Sequence, residues 1–216
     1  MLPLGDDTRQ PARYPAVTVA IVAVNAIVFV LELLGGDSFV LRWSAIPADI
    51  TAGRHLETLL TSVFMHGSWS HIIGNMIFLW AFGPEIEDAM GPRHYLIFYL
   101  IAGVVSMGAQ IAANAQATVP NLGASGAIAA VMGAFLVTYP RDRIRTVIFF
   151  GIFFGITFIP AALLIGLWFV IQLLNLGAVA QTESGGVAYL AHVGGAIFGA
   201  LLGPVFEKHS TPPRKR

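Results

Sequence analysis

The chain has 216 residues, of which 56% are hydrophobic and only 11% are charged, and its formal net charge is zero. Soluble domains average about 25% charged residues, so this composition excludes an ordinary water-soluble domain and indicates a protein of the lipid bilayer. The zero net charge argues against a nucleic-acid partner, and the lack of cysteine excludes disulfides and cysteine metal sites.

Apolar stretches recur along the chain at lengths suited to membrane spans. A helix needs roughly 20 mostly apolar residues to cross the hydrocarbon core. The pattern predicts an all-α fold, a polytopic membrane bundle of six transmembrane helices. The predicted spans lie near residues 16–35, 71–90, 94–114, 125–139, 160–177 and 187–206. The predicted organisation is a cytoplasmic N-terminal tail (1–15), a six-span core (16–206) and a basic cytoplasmic C-terminal tail (207–216).

Two apolar segments need a separate interpretation. The first stretch is expected to be retained as a span, because the Gly35-Gly36-Asp37 that follows it lacks the small-residue pattern of a signal-peptide cleavage site. Segment 146–158 is apolar but only about 13 residues long. It is therefore predicted to be an interfacial or re-entrant piece, with a seventh span as the alternative.

Polar side chains inside the predicted spans are the first candidates for function, because each is costly in a bilayer without a partner. His71 and Asn75 lie in the first turns of span two and, being four residues apart, share one helix face. Ser125 begins span four, and His192 lies about five residues into span six, roughly 7–8 Å below its start. These four residues are expected in one layer near one end of the bundle.

Small residues predict how two of the spans meet. Span four has small residues at positions 126, 129, 130 and 133, and span six has them at positions 191, 195, 199 and 203. Stripes of this kind bring membrane helices into backbone contact. Packing of spans four and six is therefore expected to bring the His192 imidazole to Ser125.

This set of groups fits nucleophilic catalysis. A serine hydroxyl becomes a nucleophile when a base within hydrogen-bond reach takes its proton, and neutral imidazole is such a base. The oxyanion that follows needs donors, which the Asn75 amide, the His71 imidazole and the Ser125 backbone N–H at a helix N-terminus could supply. With no in-span aspartate available in this layer to complete a triad, the prediction is a Ser125–His192 dyad.

These residues resemble the motifs of the rhomboid family of intramembrane serine proteases. The matching motifs are His71-x-x-x-Asn75, Gly123-x-Ser125-Gly126 and Ala191-His192-x-x-Gly195, in the expected order and spans. The resemblance covers roughly residues 55–206. Glu87 and Gly91 also match a Glu-x-x-x-Gly pattern of the family, which is interpreted as structural.

The resemblance implies a set of roles. Ser125 would be the nucleophile, His192 the general base and acid, and His71 and Asn75 the oxyanion stabilisers, with no cofactor and no metal. The substrates would be transmembrane helices of other proteins within the lipid bilayer. Rhomboids often have an aromatic residue four positions after the serine, stacked on the catalytic histidine. This sequence has Ala129 there, which leaves open what orients His192.

The basic residues predict the orientation and location of the bundle. Six spans place both termini on one side, and ten of the twelve basic residues then lie on that side. Only Arg42 and Arg54 lie opposite. By the positive-inside rule both termini are expected to be cytoplasmic. The site would then face the outer side of a cell plasma (inner) membrane.

Other functions are weighed against the protease. A catalytically inactive rhomboid-like protein that binds membrane clients is the main alternative, and a transporter would need polar residues through the whole depth of the bilayer. Zinc is disfavoured because no His-Glu-x-x-His motif or nearby carboxylate accompanies the histidines. Physiological substrate and oligomeric state are not set by the sequence. The other polar residues of the spans are interpreted as helix contacts or interface residues: Asn25, Glu32, Gln110, Gln172 and Asn175.

Overall fold

The structure, a computed structural model, describes residues 1–150, 153–179 and 188–208. Its described part is mostly helical. The long helices are α1 (Ala16–Trp43), α4 (Trp69–Met90), α5 (Pro92–Ala113), α6 (Ser125–Thr138), α7 (Ala161–Val179) and α8 (Tyr189–Phe206). Two short helices, α2 (Pro47–Thr51) and α3 (Thr58–Thr61), and a 3₁₀ turn (Ser62–Phe64) lie between α1 and α4.

Each predicted apolar stretch overlaps one long helix. Within the described residues, α1, α5 and α8 are long and apolar enough to cross a membrane by length and composition, and α6 and α7 contain shorter apolar helices. The end predicted for the first span is visible as a kink in α1. Gly36 there has φ 61° and ψ −156°, outside the helical region, and a glycine accepts this conformation without a Cβ clash.

The all-α prediction is wrong in one respect, because the described residues include a three-stranded antiparallel sheet. Its strands are β1 (Leu2–Asp6), β2 (Arg143–Phe150) and β3 (Phe153–Pro160), in the order β1-β2-β3. Segment 146–158, expected to be re-entrant, interfacial or a seventh span, lies within β2 and β3 apart from residues 151 and 152, which are outside the described residues.

The physical reason for this difference is local composition. The segment is rich in β-branched and aromatic side chains, which favour strands. Hydropathy cannot distinguish a short apolar strand from a short apolar helix. Nor does it show the partner strand, which comes from the first residues of the chain, with Leu2 opposite Val147 and Asp6 opposite Ile144.

The core of the bundle is the contact between α6 and α8. All residues of α6 from Gly126 to Phe135 are buried. A Cβ built on Gly195 would meet the carbonyl oxygen of Gly126, and one built on Gly199 would meet that of Ala130. The contacting positions advance together along both helices, so α6 and α8 run parallel with their N-terminal ends side by side. The predicted stripes of small residues thus lie in backbone contact.

Glu87 joins α4 to the start of α1. Its carboxylate accepts hydrogen bonds from the backbone N–H groups of Val17 (2.9 Å) and Thr18 (2.7 Å) and from the Thr18 hydroxyl (2.8 Å). The first N–H groups of a helix have no partner within the helix, and a negative charge there interacts favourably with the helix dipole. These contacts support the structural interpretation of Glu87.

Replacing Glu87 by alanine is expected to destabilise the protein by about 1–3 kcal/mol, because buried donors at the start of α1 lose their acceptor. The measurement is the apparent melting temperature of the detergent-solubilised protein. Glu57→Ala is the matched control, since Glu57 forms an exposed ion pair with Arg42 and such pairs contribute little. Equal melting temperatures for the two variants would contradict the capping role.

Candidate active site

Ser125 and His192 meet where α6 and α8 begin. The distance between His192 Nε2 and Ser125 Oγ is 2.7 Å. His192 is only 8% exposed, whereas Ser125 is half-buried. The parallel contact of the two helices explains the proximity, because it places the first residue of α6 beside the first turn of α8.

The other nitrogen of His192 contacts α7. Nδ1 lies 2.8 Å from Oε1 of Gln172, and the indole of Trp168 lies against the imidazole with ring centroids 5.7 Å apart and an angle of 37°. The sequence interpretation treated Gln172 as a helix contact and left the orientation of His192 open. With Ala129 in α6, the aromatic contacts to His192 come instead from Trp168 of α7 and from Tyr189 of α8. Trp168 and Gln172 are four residues apart, as are His71 and Asn75. This spacing in the sequence already indicated that Trp168 and Gln172 share one face of a helix.

His71 and Asn75 line a cavity together with Ser125 and His192. The cavity has a volume of about 610 Å³, and its wall includes the N-terminal half of α4, the loop before α6 and Trp168 of α7. The structure thus brings all four predicted site residues to one concave surface. A cavity of this size is within the range of small-molecule and peptide side-chain sites.

His66, in the loop before α4, contacts the Asn75 side chain. Its Nε2 lies 2.9 Å from Nδ2 of Asn75, and its backbone N–H donates to the Glu32 carboxylate (2.9 and 3.1 Å). Burial, with a smaller contribution from nearby His71, lowers the pKa of His66 to about 4. A neutral imidazole can accept from one N–H of the amide, and an amide nitrogen carries two, which leaves the second for the cavity.

The loop before α6 and the first residue of α6 line the same cavity. Ser125 is the first residue of α6, so its N–H and those that follow lack partners within the helix and lie at the positive end of the helix dipole. Gly123 has φ +132°, and a Cβ there would lie 2.8 Å from Nε2 of His71. Only glycine lets the chain pass this close to the His71 ring.

A mostly helical membrane protein, with a half-buried serine beside a buried histidine at the wall of a cavity, defines a narrow class. A family model for the Rhomboid domain matches residues 53–209, most of the chain. The chain therefore belongs to the rhomboid family.

Similar proteins come from eukaryotes and bacteria. RHOMBOID-like protein 12, mitochondrial, of Arabidopsis thaliana is 29% identical over 202 residues, covering 86% of this chain and 56% of the relative. Presenilin-associated rhomboid-like protein, mitochondrial, of Rattus norvegicus is 31% identical, covering 83% and 45%. Rhomboid protease GluP of Bacillus subtilis is 29% identical, covering 86% and 34%. The chain thus matches about half the length, or less, of these curated relatives.

These comparisons correct the predicted localisation. The expected location in a cell plasma membrane is wrong, because the similar proteins of Arabidopsis thaliana and Rattus norvegicus have names that place them in mitochondria. The physical reason is that the distribution of basic residues orients a protein relative to its membrane. The distribution of basic residues does not show which membrane of the cell contains the protein.

Proposed function

We propose that this chain is an intramembrane serine protease in which Ser125 and His192 form the catalytic dyad. The observation that carries the proposal is the 2.7 Å contact between His192 Nε2 and Ser125 Oγ at the wall of a cavity large enough for a peptide segment. The membership of the rhomboid family and the similarity to a bacterial protease of that family support it.

The arrangement suits a two-step acyl transfer. His192 Nε2 takes the hydroxyl proton as Ser125 Oγ attacks the peptide carbonyl, and the imidazolium then gives that proton to the leaving amine. Water attacks the resulting ester with His192 again as the base. In both steps the oxyanion would be stabilised by Asn75, His71 and the Ser125 N–H, all of which line or adjoin the cavity.

We further infer that all the long helices, α1 and α4 to α8, cross the bilayer as six spans. The 14 residues of α6 extend about 21 Å, less than the roughly 30 Å hydrocarbon core. Because α4, α5, α7 and α8 pack against α6, it can begin below the membrane surface. Irregular backbone is tolerated at that depth where it lines a cavity, as residues 120–122 do here.

A site at that depth would act on peptide bonds in or next to transmembrane helices of other proteins. The bilayer itself is then the second partner, since it holds both enzyme and substrate. A transmembrane helix offers no free peptide bond until it unwinds, because its backbone groups are paired within the helix. The half-buried Ser125 would therefore meet a locally unwound segment.

Labelling of the purified, detergent-solubilised protein with a fluorophosphonate tests the proposal. An activated serine forms a covalent phosphonyl ester, and the label should be absent from Ser125→Ala. The competing function, a catalytically inactive rhomboid that binds membrane clients, predicts no label on the unsubstituted chain. A folded protein that fails to label would overturn the protease assignment.

Asn75→Ala is expected to slow cleavage of a model transmembrane substrate by about 10²–10³-fold, as removal of one oxyanion donor does elsewhere. The effect should appear in kcat, because the oxyanion exists only in the transition state and the intermediate. Measuring kcat and KM separately in detergent or proteoliposomes checks this. A change confined to KM would instead indicate that Asn75 contributes to substrate binding.

A further inference from the structure

We propose that Gln172 is a positioning residue that sets the hydrogen-bonding direction of His192. It would hold the hydrogen on Nδ1 and keep Nε2 free to accept from Ser125. This inference rests on the proposed protease function and adds α7 to the elements on which catalysis depends.

The orientation of the Gln172 amide is set by its two ends. Its Nε2 lies 3.4 Å from the backbone carbonyl oxygen of Trp168, one turn earlier on α7. A carbonyl oxygen accepts only, so the NH₂ group of the amide faces Trp168. The other end of the amide, Oε1, then faces His192 at 2.8 Å.

The direction of the remaining hydrogen bonds follows from this orientation. Oε1 of Gln172 can only accept, so Nδ1 of His192 must donate and therefore has the hydrogen. A neutral imidazole has one N–H, which leaves the lone pair of Nε2 pointing at Ser125 Oγ. The serine hydroxyl is then the donor across the 2.7 Å contact, as general-base catalysis requires.

The surroundings make a neutral amide a suitable partner for this imidazole. Gln172 and His192 are 7% and 8% exposed, and the Trp168 ring lies against the imidazole at a tilt of 37°. A buried aspartate in this place would lose its hydration, which destabilises a buried charge. An amide provides the acceptor without a buried charge, and its bond to Nδ1 strengthens when His192 becomes an imidazolium.

The test compares rates of fluorophosphonate labelling among folded variants. Gln172→Met keeps a linear side chain of similar volume but removes the amide acceptor, and is expected to slow labelling of Ser125 about 10- to 100-fold. Gln172→Glu restores an acceptor oxygen; its buried carboxylate should lower the melting temperature, but the folded protein should label within about threefold of the unsubstituted rate. The matched control is Asn175→Leu, an amide-to-apolar change three residues further along α7, which should label at the unsubstituted rate.

The outcomes separate this inference from the proposed function. If the unsubstituted protein labels and Gln172→Met labels equally fast, the positioning role is wrong while the protease stands. If Gln172→Met and Gln172→Glu are equally slow, the loss comes from packing and the role is again wrong. If the unsubstituted protein does not label, both proposals fail.

A measurement on the unsubstituted chain tests the inference without relying on the folding of any variant. The ¹⁵N shifts of labelled histidine distinguish Nδ1–H from Nε2–H imidazole, and His192 can be assigned among the six histidines by its loss in His192→Gln. Protonation at Nδ1 in the neutral ring is the expected result. Protonation at Nε2 would overturn the inference.

Discussion

Replacing Ser125 by alanine is expected to abolish cleavage of a transmembrane substrate, a loss on the order of 10⁴–10⁶-fold in kcat. Without Oγ there is no nucleophile for the acyl transfer, and His192 has no proton to take. The fold should survive, because the hydroxyl is half-buried at the cavity wall and the packing of α6 on α8 depends on Gly126 and the residues after it. His192→Ala should cause a loss of similar size, since the two residues act as a unit.

The measurement is proteolysis of a model single-span substrate, with melting temperature as a check on folding. Ser44→Ala is the matched control, because Ser44 is a buried serine at 2% exposure that does not line the cavity. It should retain full activity. Turnover by Ser125→Ala at the unsubstituted rate would eliminate the proposed mechanism.

Replacing Gly199 by alanine is expected to destabilise the protein by about 3 kcal/mol or more, the upper end of the cost of overpacking. The added Cβ would collide with the backbone of Ala130, not with a flexible side-chain end. The helices would have to separate, and His192 would move away from Ser125. Activity and stability should therefore fall together, unlike in Ser125→Ala.

Gly108→Ala in α5 is the control for this prediction. A Cβ at Gly108 has no atom within 4 Å, and alanine favours a helix over glycine by about 1 kcal/mol. Its melting temperature should stay constant or rise. If Gly199→Ala and Gly108→Ala have the same melting temperature, the α6–α8 contact is looser than the structure indicates.

The helices and their main contact could be predicted because both depend on local patterns. Apolar runs of sufficient length marked the stretches that form the long helices, and the Gly35-Gly36 pair marked the break in α1. Four-residue spacing of small residues in α6 and α8 predicted that the two helices touch. That contact accounts for the 2.7 Å distance between Ser125 and His192, whose catalytic roles remain a prediction.

The partners supplied by other elements could not be predicted in the same way. The four-residue spacing of Trp168 and Gln172 places them on one face of α7. Apolar residues lie on all sides of this helix, however, so its sequence does not fix which face points towards His192. The contact of His66 with Asn75 depends on where the loop before α4 folds back. The sheet depends on a pairing between residues about 140 positions apart, which hydropathy does not register.

The sheet has a consequence for where this chain can be trimmed. Residues before α1 pair with β2, and Arg9 donates to the buried Asp142 carboxylate at 2.9 Å while stacking on the Tyr139 ring. A processing protease or an expression boundary that cuts just ahead of residue 16 would leave β2 with one neighbour instead of two. It would also leave Asp142 without its guanidinium, at the end of the helix that begins with Ser125. The smallest stable version of this protein therefore includes its first residues, which also pack against α4.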